Sequence, residues 1–213
     1  MDLYEAIAAG DETAALKALD TQPDPTRPSP DPTRPTPVLW ALYHGHGDLA
    51  RTLAARIGRP LDLPEAAALD DPDRVAQLLD GGEPVDGRTP DGYTPLQLAA
   101  FFGGPRAAAL LLERGADPGA VADNEMRIQP LHAAVSGRHH QIAVRLIAAG
   151  VDVNARQRAG YTPLLAAAAN GDAELVHALL KAGADAQLAD DAGDRPADLA
   201  DQHGHPELAA ELR

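Results

Sequence analysis

Small and aliphatic residues recur at helical spacing along the chain, and residues 159–185 show the pattern in full. In a first short run, Leu164 and Ala167 fall on one side of a predicted helix. In a second run, Leu175 and Leu179 do the same. The pattern therefore predicts two short amphipathic helices joined by a turn.

Residues that start and stop helices bound both runs. Thr162 is suited to cap the first helix, and Pro163 then occupies the first helical position, where its missing N–H costs nothing. Gly171 breaks the helix because glycine readily adopts a left-handed backbone. Lys181 and Gly183 are typical of the end of the second helix.

The same unit returns along the chain. Aligned on the proline at the helix start, the copies fall at Pro95, Pro130, Pro163 and Pro196, which gives a period near 33 residues. Repeats of this length are the mark of solenoids, in which each unit buries one face against the next.

The stretch 93–185 resembles the ankyrin-repeat family, since it holds the motifs GYTPLQLAA, QPLHAAV and GYTPLLAAA. The resemblance implies an all-α repeat solenoid of helix-turn-helix units with short β-hairpin fingers. We expect about seven units in one domain spanning residues 1–213. Its parts are an N-terminal cap (1–20), a Pro-rich insertion (21–35), five repeats (36–58, 61–82, 91–118, 127–153 and 160–186) and a C-terminal cap (194–213).

Two units depart from the pattern. Residues 23–37, PDPTRPSPDPTRPTP, stand where a finger is expected, and they favour extended backbone as a surface linker or as a docking segment for a partner. The third unit keeps its helices but loses the Thr-Pro turn.

Composition narrows the class of protein. Aromatic residues make up 3% of the 213 residues, which fits thin stacked layers better than one thick core. The net charge of −14 argues against binding nucleic acid or an anionic membrane, and no segment approaches the length of a membrane span. We expect a cytoplasmic monomer without a signal peptide. Arginine outnumbers lysine 16 to 2, which indicates a GC-rich, bacterial genome.

No pattern indicates catalysis, a cofactor or a metal. There is no cysteine, no glycine-rich phosphate loop and no serine in a nucleophile elbow. The eight histidines suggest an alternative, a His-dependent metal-binding protein or enzyme, but their clusters fall in different repeats. A second alternative is an acidic nucleic-acid mimic that blocks a DNA-binding protein.

The main hypothesis is therefore a non-catalytic protein-interaction scaffold. The resemblance implies that finger tips and the residues before the inter-helix turn line a concave, partner-binding face, and that the role is accessory or regulatory, as in small ankyrin proteins linked to stress defence. The aromatics among them indicate binding anchors, whereas Trp40 is interpreted as packing. Arg156 and Arg158 form a basic spot that could steer an acidic partner. The predicted partner-binding residues are Tyr43, His44, Leu69, Tyr93, Phe101, Phe102, Ile128, Arg156, Arg158 and Tyr161.

Overall fold

Seven pairs of antiparallel helices follow one another in a computed structural model that describes residues 2–21 and 34–213. The predicted all-α repeat solenoid is confirmed. The helices are α1 (Leu3–Ala8), α2 (Glu12–Thr21), α3 (Pro37–Tyr43), α4 (Gly47–Arg56), α5 (Leu63–Ala68), α6 (Pro72–Asp80), α7 (Pro95–Phe102), α8 (Pro105–Glu113), α9 (Pro130–Ser136), α10 (His140–Ala148), α11 (Pro163–Ala169), α12 (Ala173–Lys181), α13 (Pro196–Gln202) and α14 (Pro206–Glu211).

The first helix of each unit starts where the sequence chemistry predicts. The hydroxyl oxygens of Thr36, Thr94 and Thr162 each accept a hydrogen bond from the backbone N–H three residues on, at 3.3 Å. In the third unit Asp62 replaces the threonine and forms a capping box with Glu65. The loss of Thr-Pro in this unit therefore costs no helix cap.

Alanine pairs lie where neighbouring first helices meet. Ala99, Ala100, Ala134, Ala167 and Ala168 are all fully buried. Because an alanine side chain ends at Cβ, the helices of successive units can approach closely. Burial of the apolar faces between units supplies the main free energy that stabilises the stack.

The buried core is divided along the stack. One cluster belongs to units one and two, and a larger one runs through units three to seven. Between them lies a small cluster that takes Leu39 from unit two, Ala68 from unit three and Leu98 from unit four. The half-buried side chains of Leu42, Tyr43, Tyr93 and Phe102 pack against this cluster and complete the junction between the two parts of the stack.

The fingers are tight turns and not the β-hairpins that we expected. In the described parts of the chain no residue adopts strand structure. Two backbone hydrogen bonds close each of three fingers. One runs from Thr89 N–H to Tyr93 O, from Gln157 N–H to Tyr161 O and from Asp190 N–H to Asp194 O, at 2.9–3.0 Å. The other runs from the glycine of the turn back to Thr89, Gln157 or Asp190 O, at 2.9–3.1 Å. Because the two residues joined across each turn are only four positions apart, there is no room for a ladder of strand hydrogen bonds.

Neighbouring fingers are joined by hydrogen bonds from one to the next. Arg158 N–H donates to Met126 O, and Asp191 N–H donates to Ala159 O, both at 3.0 Å. The corresponding position in the fourth unit is Pro90, which has no N–H to donate. The third unit has only a short connection in place of a finger. The finger of the fourth unit, which contains Pro90, is therefore the first in the row.

A buried ion pair stabilises the short connection of the third unit. The guanidinium of Arg59 donates two hydrogen bonds to the buried carboxylate of Glu65, at 2.6 and 2.7 Å. The neighbouring Asp62 carboxyl is largely removed from water beside this negative charge, and burial followed by the charge of Glu65 raises its pKa to about 6.

Most of the Pro-rich insertion (21–35) lies outside the described residues. At its C-terminal end, the Arg34 guanidinium lies over the rings of Tyr4 and Trp40, 5.3 and 6.0 Å from their centroids. Trp40 Nε1–H donates to the carbonyl of Tyr4 at 3.1 Å, so this tryptophan packs between the first two units.

Replacing Ala167 with Asp should lower the free energy of unfolding by at least about 3 kcal/mol, because the carboxylate would be buried without a partner. Urea unfolding measures the loss. Ala173→Asp is the matched control, since Ala173 is exposed in the first turn of α12, where a negative charge is tolerated. Equal stability of the two variants would contradict this packing.

Asp62 should make stability depend on pH. Because its pKa is higher in the folded protein than in the unfolded chain, the free energy of unfolding falls as pH rises from about 4 to about 6. The variant Asp62→Asn lacks this titration, so its stability relative to the wild type should rise by about 1–2 kcal/mol across that interval. Urea unfolding at several pH values tests this, and a constant difference would refute it.

Candidate partner-binding surface

An apolar cleft of about 250 Å³ opens between the first helices and the fingers of the middle units. We call it the aromatic groove. Unit two contributes one residue from the end of α3, unit four contributes α7 and its finger, and unit five contributes α9 and its finger. The lining residues are Tyr43, Tyr93, Gln97, Leu98, Phe101, Met126, Ile128 and Ala133.

Four aromatic rings form one side of the groove. The centroids of Tyr43 and Phe102 are 5.5 Å apart, those of Tyr43 and Tyr93 are 6.4 Å apart, and Phe101 meets Phe102 edge-on at 5.1 Å. Phe101 is 42% exposed and Met126 is 39% exposed, although both are apolar. The groove therefore exposes apolar surface to solvent.

The missing finger of the third unit allows Tyr43 to reach across to the fourth. Its hydroxyl donates to Asp91 Oδ2 at 2.8 Å, over a separation of 48 residues. Burial and the neighbouring carboxylate raise the pKa of Tyr43 well above its usual range, and burial also raises the pKa of Tyr93. Both hydroxyls are therefore neutral at physiological pH.

Gln97 fixes the floor of the groove. Its amide N–H groups donate to the carbonyls of Ala120 and Ile128 at 2.9 and 2.6 Å, which ties the fifth finger to α7. His132, the corresponding residue of the fifth unit, donates in the same way to the carbonyl of Ala155 at 3.0 Å. Burial lowers the pKa of His132, so its ring stays neutral.

Five of the predicted residues lie at the groove: Tyr43, Tyr93, Phe101 and Ile128 line it, and Phe102 supports the ring of Tyr43. Other predicted residues lie elsewhere. His44 is exposed and packs against Trp40 with the rings tilted and 4.5 Å between their centroids. Leu69 packs, half-buried, against the core of units one and two, and Tyr161 packs against the larger core.

The two arginines of the predicted basic spot have different partners. Arg156 forms an ion pair with Asp191 at 2.9 Å and also donates to the carbonyl of Ala189. Arg158 is also exposed but lies against Met126, with 3.9 Å between its Nη1 and the sulfur. The Arg158 guanidinium therefore borders the aromatic groove.

Four lining residues were not predicted from the sequence: Met126, Gln97, Leu98 and Ala133. Met126 lies in the longer finger of the fifth unit, and the wider spacing from Pro95 to Pro130 was the signal that could have found it. Leu98 and Gln97 looked like ordinary helix residues, because only the shifted finger places them beside an open cleft.

Three histidines lie where the second helix of a unit begins. His46, His139 and His205 begin α4, α10 and α14, and each ring lies against the inter-helix glycine of the preceding unit. At Gly103, whose φ is +79°, an added Cβ would lie 2.5 Å from the ring of His139, so this position requires glycine.

His140 lies between two carboxylates, with its Nε2 2.7 Å from Asp172 and its Nδ1 2.9 Å from Glu174. The hydrogen bond to Asp172 is the main cause that raises the pKa of His140. Over residues 2–21 and 34–213, no three histidine, aspartate or glutamate side chains are grouped so that they could hold a metal ion. In the same part of the chain, no helix has the length and apolar character needed to cross a bilayer.

Comparison with known proteins settles the family. A model described as "Ankyrin repeats (3 copies)" matches residues 63–157 and 131–213, which together cover more than two thirds of the chain. This chain belongs to the ankyrin-repeat family. Ankyrin repeats are generally modules for protein–protein interaction, and the chain carries this module in units three to seven.

Several mammalian proteins are similar to this chain. The human neurogenic locus notch homolog protein 4 is 41% identical over 47% of this chain and 5% of its own length. The human ankyrin repeat and SOCS box protein 16 is 33% identical over 60% of this chain and 30% of its own length. The bovine cyclin-dependent kinase 4 inhibitor B is 34% identical over 50% of this chain and 80% of its own length.

The match therefore spans less than a third of the first two relatives, although it spans most of the bovine one. Because these relatives are mammalian, they do not support the bacterial origin that composition indicated.

Removing the hydroxyl of Tyr43 with Tyr43→Phe should lower the free energy of unfolding by about 1–2 kcal/mol. Asp91 Oδ1 is already buried without a hydrogen bond, so the variant would leave neither carboxylate oxygen bonded. Tyr161→Phe is the control, since its hydroxyl forms no hydrogen bond with residues 2–21 or 34–213, and it should change stability by less than about 0.5 kcal/mol. Urea unfolding compares the two, and equal small effects would contradict the bond.

Proposed function

We propose that this protein is a non-catalytic scaffold that binds a protein partner on the face formed by its first helices and fingers. The aromatic groove is the centre of this surface. The observation that carries the proposal is that Phe101 and Met126 are exposed side by side over an apolar cleft. Exposed apolar clefts rimmed by polar residues are typical of binding sites.

The groove has the character of an interaction hot spot. Aromatic residues dominate the free energy of binding in many interfaces because they bury a large area at a small entropic cost. Here the supporting contacts of Tyr43 and Gln97 hold the groove in shape before any partner binds. We infer from this that the partner meets a preformed surface.

The surroundings of the groove favour binding over catalysis. Its lining holds two neutral tyrosine hydroxyls and one amide that is fully hydrogen-bonded within the protein. A general acid, base or nucleophile needs a titratable group near the working pH, and the lining has none. We therefore propose an accessory or regulatory role, carried out by a cytoplasmic monomer.

The alternative of an acidic nucleic-acid mimic is less well supported. The net charge of −14 would serve it, but a mimic should present carboxylates on its contact face. The groove instead presents aromatic rings and Met126, with Arg158 beside them.

Affinity capture from the native host tests the proposal. The tagged wild type and the double variant Phe101→Ala/Met126→Ala serve as baits, and mass spectrometry compares the captured proteins. We expect a protein that the wild type enriches and that the variant loses by at least about tenfold, because the variant removes apolar anchors from the groove.

The matched control is Val144→Ala. Val144 is 53% exposed on α10 and lines no part of the groove, so it removes a comparable apolar group from another surface. Thermal unfolding verifies that all baits are folded. Equal capture by the groove variant and the wild type would move the binding site away from the groove.

A further inference from the structure

A second cavity, of about 310 Å³, opens on the finger side of the stack between units two and four. Thr36 and Leu39, at the start of α3, line one part of it, and the connection 83–90 ahead of α7 lines another. The start of α5 supplies the rest of the lining. The cavity therefore occupies the place that a finger of the third unit would take, and we call it the finger gap.

Fingers elsewhere in the stack are held by donors from their neighbours. Gln97 and His132 donate to carbonyls of the unit that follows, at 2.6–3.0 Å. The corresponding residue of unit two is Leu39, whose side chain has no donor. On the other side, Pro90 has no N–H at the position from which the sixth and seventh fingers donate. The gap therefore lacks the groups that would hold a backbone turn, and it is suited to a side chain instead.

The inner part of the gap is apolar. Leu39 and Leu63 are both buried where they line it, and Pro64 and Pro84 add the carbons of their rings. A long side chain with an aliphatic stem would bury apolar area against these groups while its polar head stays at the rim.

The charged groups of the lining are Asp62, Glu83 and Arg88. One oxygen of Asp62 accepts from the Glu65 N–H at 2.9 Å, whereas the exposed carboxylate of Glu83 has no hydrogen bond or ion pair with residues 2–21 or 34–213. Arg88 Nη1 donates to Gly92 O at 3.0 Å. The guanidinium of Arg88 is therefore held by the turn of its own finger.

Negative charge is in excess at this point of the stack. Burial, and then the carboxylates of Glu65 and Glu83, raise the pKa of Asp62, and Arg59 is the cation that opposes them. The Arg59 guanidinium is already bound by Glu65. Three carboxylates thus share one guanidinium, and a second cation placed in the gap would relieve the repulsion among them.

We propose that the finger gap binds an arginine side chain of the protein partner, with its stem against Leu39 and Pro84 and its guanidinium at Asp62 and Glu83. Arginine suits the gap better than lysine, because its planar guanidinium offers several N–H donors to two carboxylates and is more weakly hydrated. The inference rests on the proposed function only in taking the partner to be a protein. It adds a second binding site, since residues 88–90 line the gap whereas Tyr93 lines the aromatic groove.

Small compounds that carry one side chain test the site on the whole protein. Titration with N-acetyl-arginine methylamide, followed by NMR of the isotope-labelled protein, should shift the amide signals of Gly87 and Thr89 with saturation. The citrulline compound has the same shape without the charge and should bind at least about tenfold more weakly. The lysine compound should also bind more weakly than the arginine compound, since its ammonium is more strongly hydrated.

Neutral variants of the two carboxylates locate the charge. Asp62→Asn/Glu83→Gln should weaken binding of the arginine compound by at least about tenfold. Because an asparagine side chain still caps a helix, α5 should persist in this variant. The control Glu12→Gln/Glu113→Gln removes two exposed carboxylates that do not line the gap, and it should change the affinity by less than about twofold.

Binding should also weaken in acid. The charged groups around Asp62 are Arg59, Glu65 and Glu83, with Arg88 on the same lining. Since the pKa of Asp62 is about 6, lowering the pH from about 7 to about 5 protonates this carboxyl and removes its attraction for the guanidinium. The affinity of the wild type should therefore fall by at least about threefold over this interval, and that of Asp62→Asn should fall less.

Equal affinities for the arginine and citrulline compounds, or the absence of a saturable shift, would overturn the inference. So would tighter binding of the glutamate compound that is lost in Arg88→Gln, because the gap would then select an anion. The comparison of compounds on the wild type decides the matter even where the double variant does not fold. None of these results bears on the aromatic groove, which the capture experiment tests separately.

Discussion

The structure depends on the burial of small side chains between successive units. No unit has enough large residues to form a core of its own, so each is stable only when packed against a neighbouring unit. Buried pairs such as Ala133–Ala134 and Ala167–Ala168 set how closely those helices approach. This constraint leaves the finger side free to vary, because the fingers contribute hydrogen bonds but little apolar area.

The aromatic groove is a consequence of that freedom. The third unit keeps the helices that the stack needs but has no finger, and Tyr43 therefore crosses the gap to bond Asp91. The fifth unit has a longer finger, which carries Met126 over the cleft from the other side. One shortened and one lengthened finger, two units apart, open a cleft that an array of identical repeats would close.

The helices and caps could be predicted from the sequence because they depend on local chemistry. Thr162 and Pro163 determine a helix start wherever they occur, and a period of 33 residues determines how the starts align. The grouping of Tyr43, Tyr93, Phe101 and Phe102 followed from their positions within the repeat. The contacts of Met126, Arg156 and Arg158 could not be predicted in this way, because each depends on how two fingers of unequal length pack. The prediction of β-hairpin fingers was wrong, since a tight turn closed by two backbone hydrogen bonds satisfies the same sequence pattern.

The position of the groove at the division of the core has a physical consequence. Tyr43 belongs to the part of the stack formed by units one and two, whereas Phe101 and Met126 belong to the part formed by units three to seven. The two parts share a small cluster around Leu39, Ala68 and Leu98, the ring contacts of Tyr43 with Tyr93 and Phe102, and the hydrogen bond to Asp91. A side chain bound in the groove would contact both parts, and its apolar area would add to the area buried at this junction. Since ligands stabilise the state that they bind, binding and the rigidity of this junction must be linked.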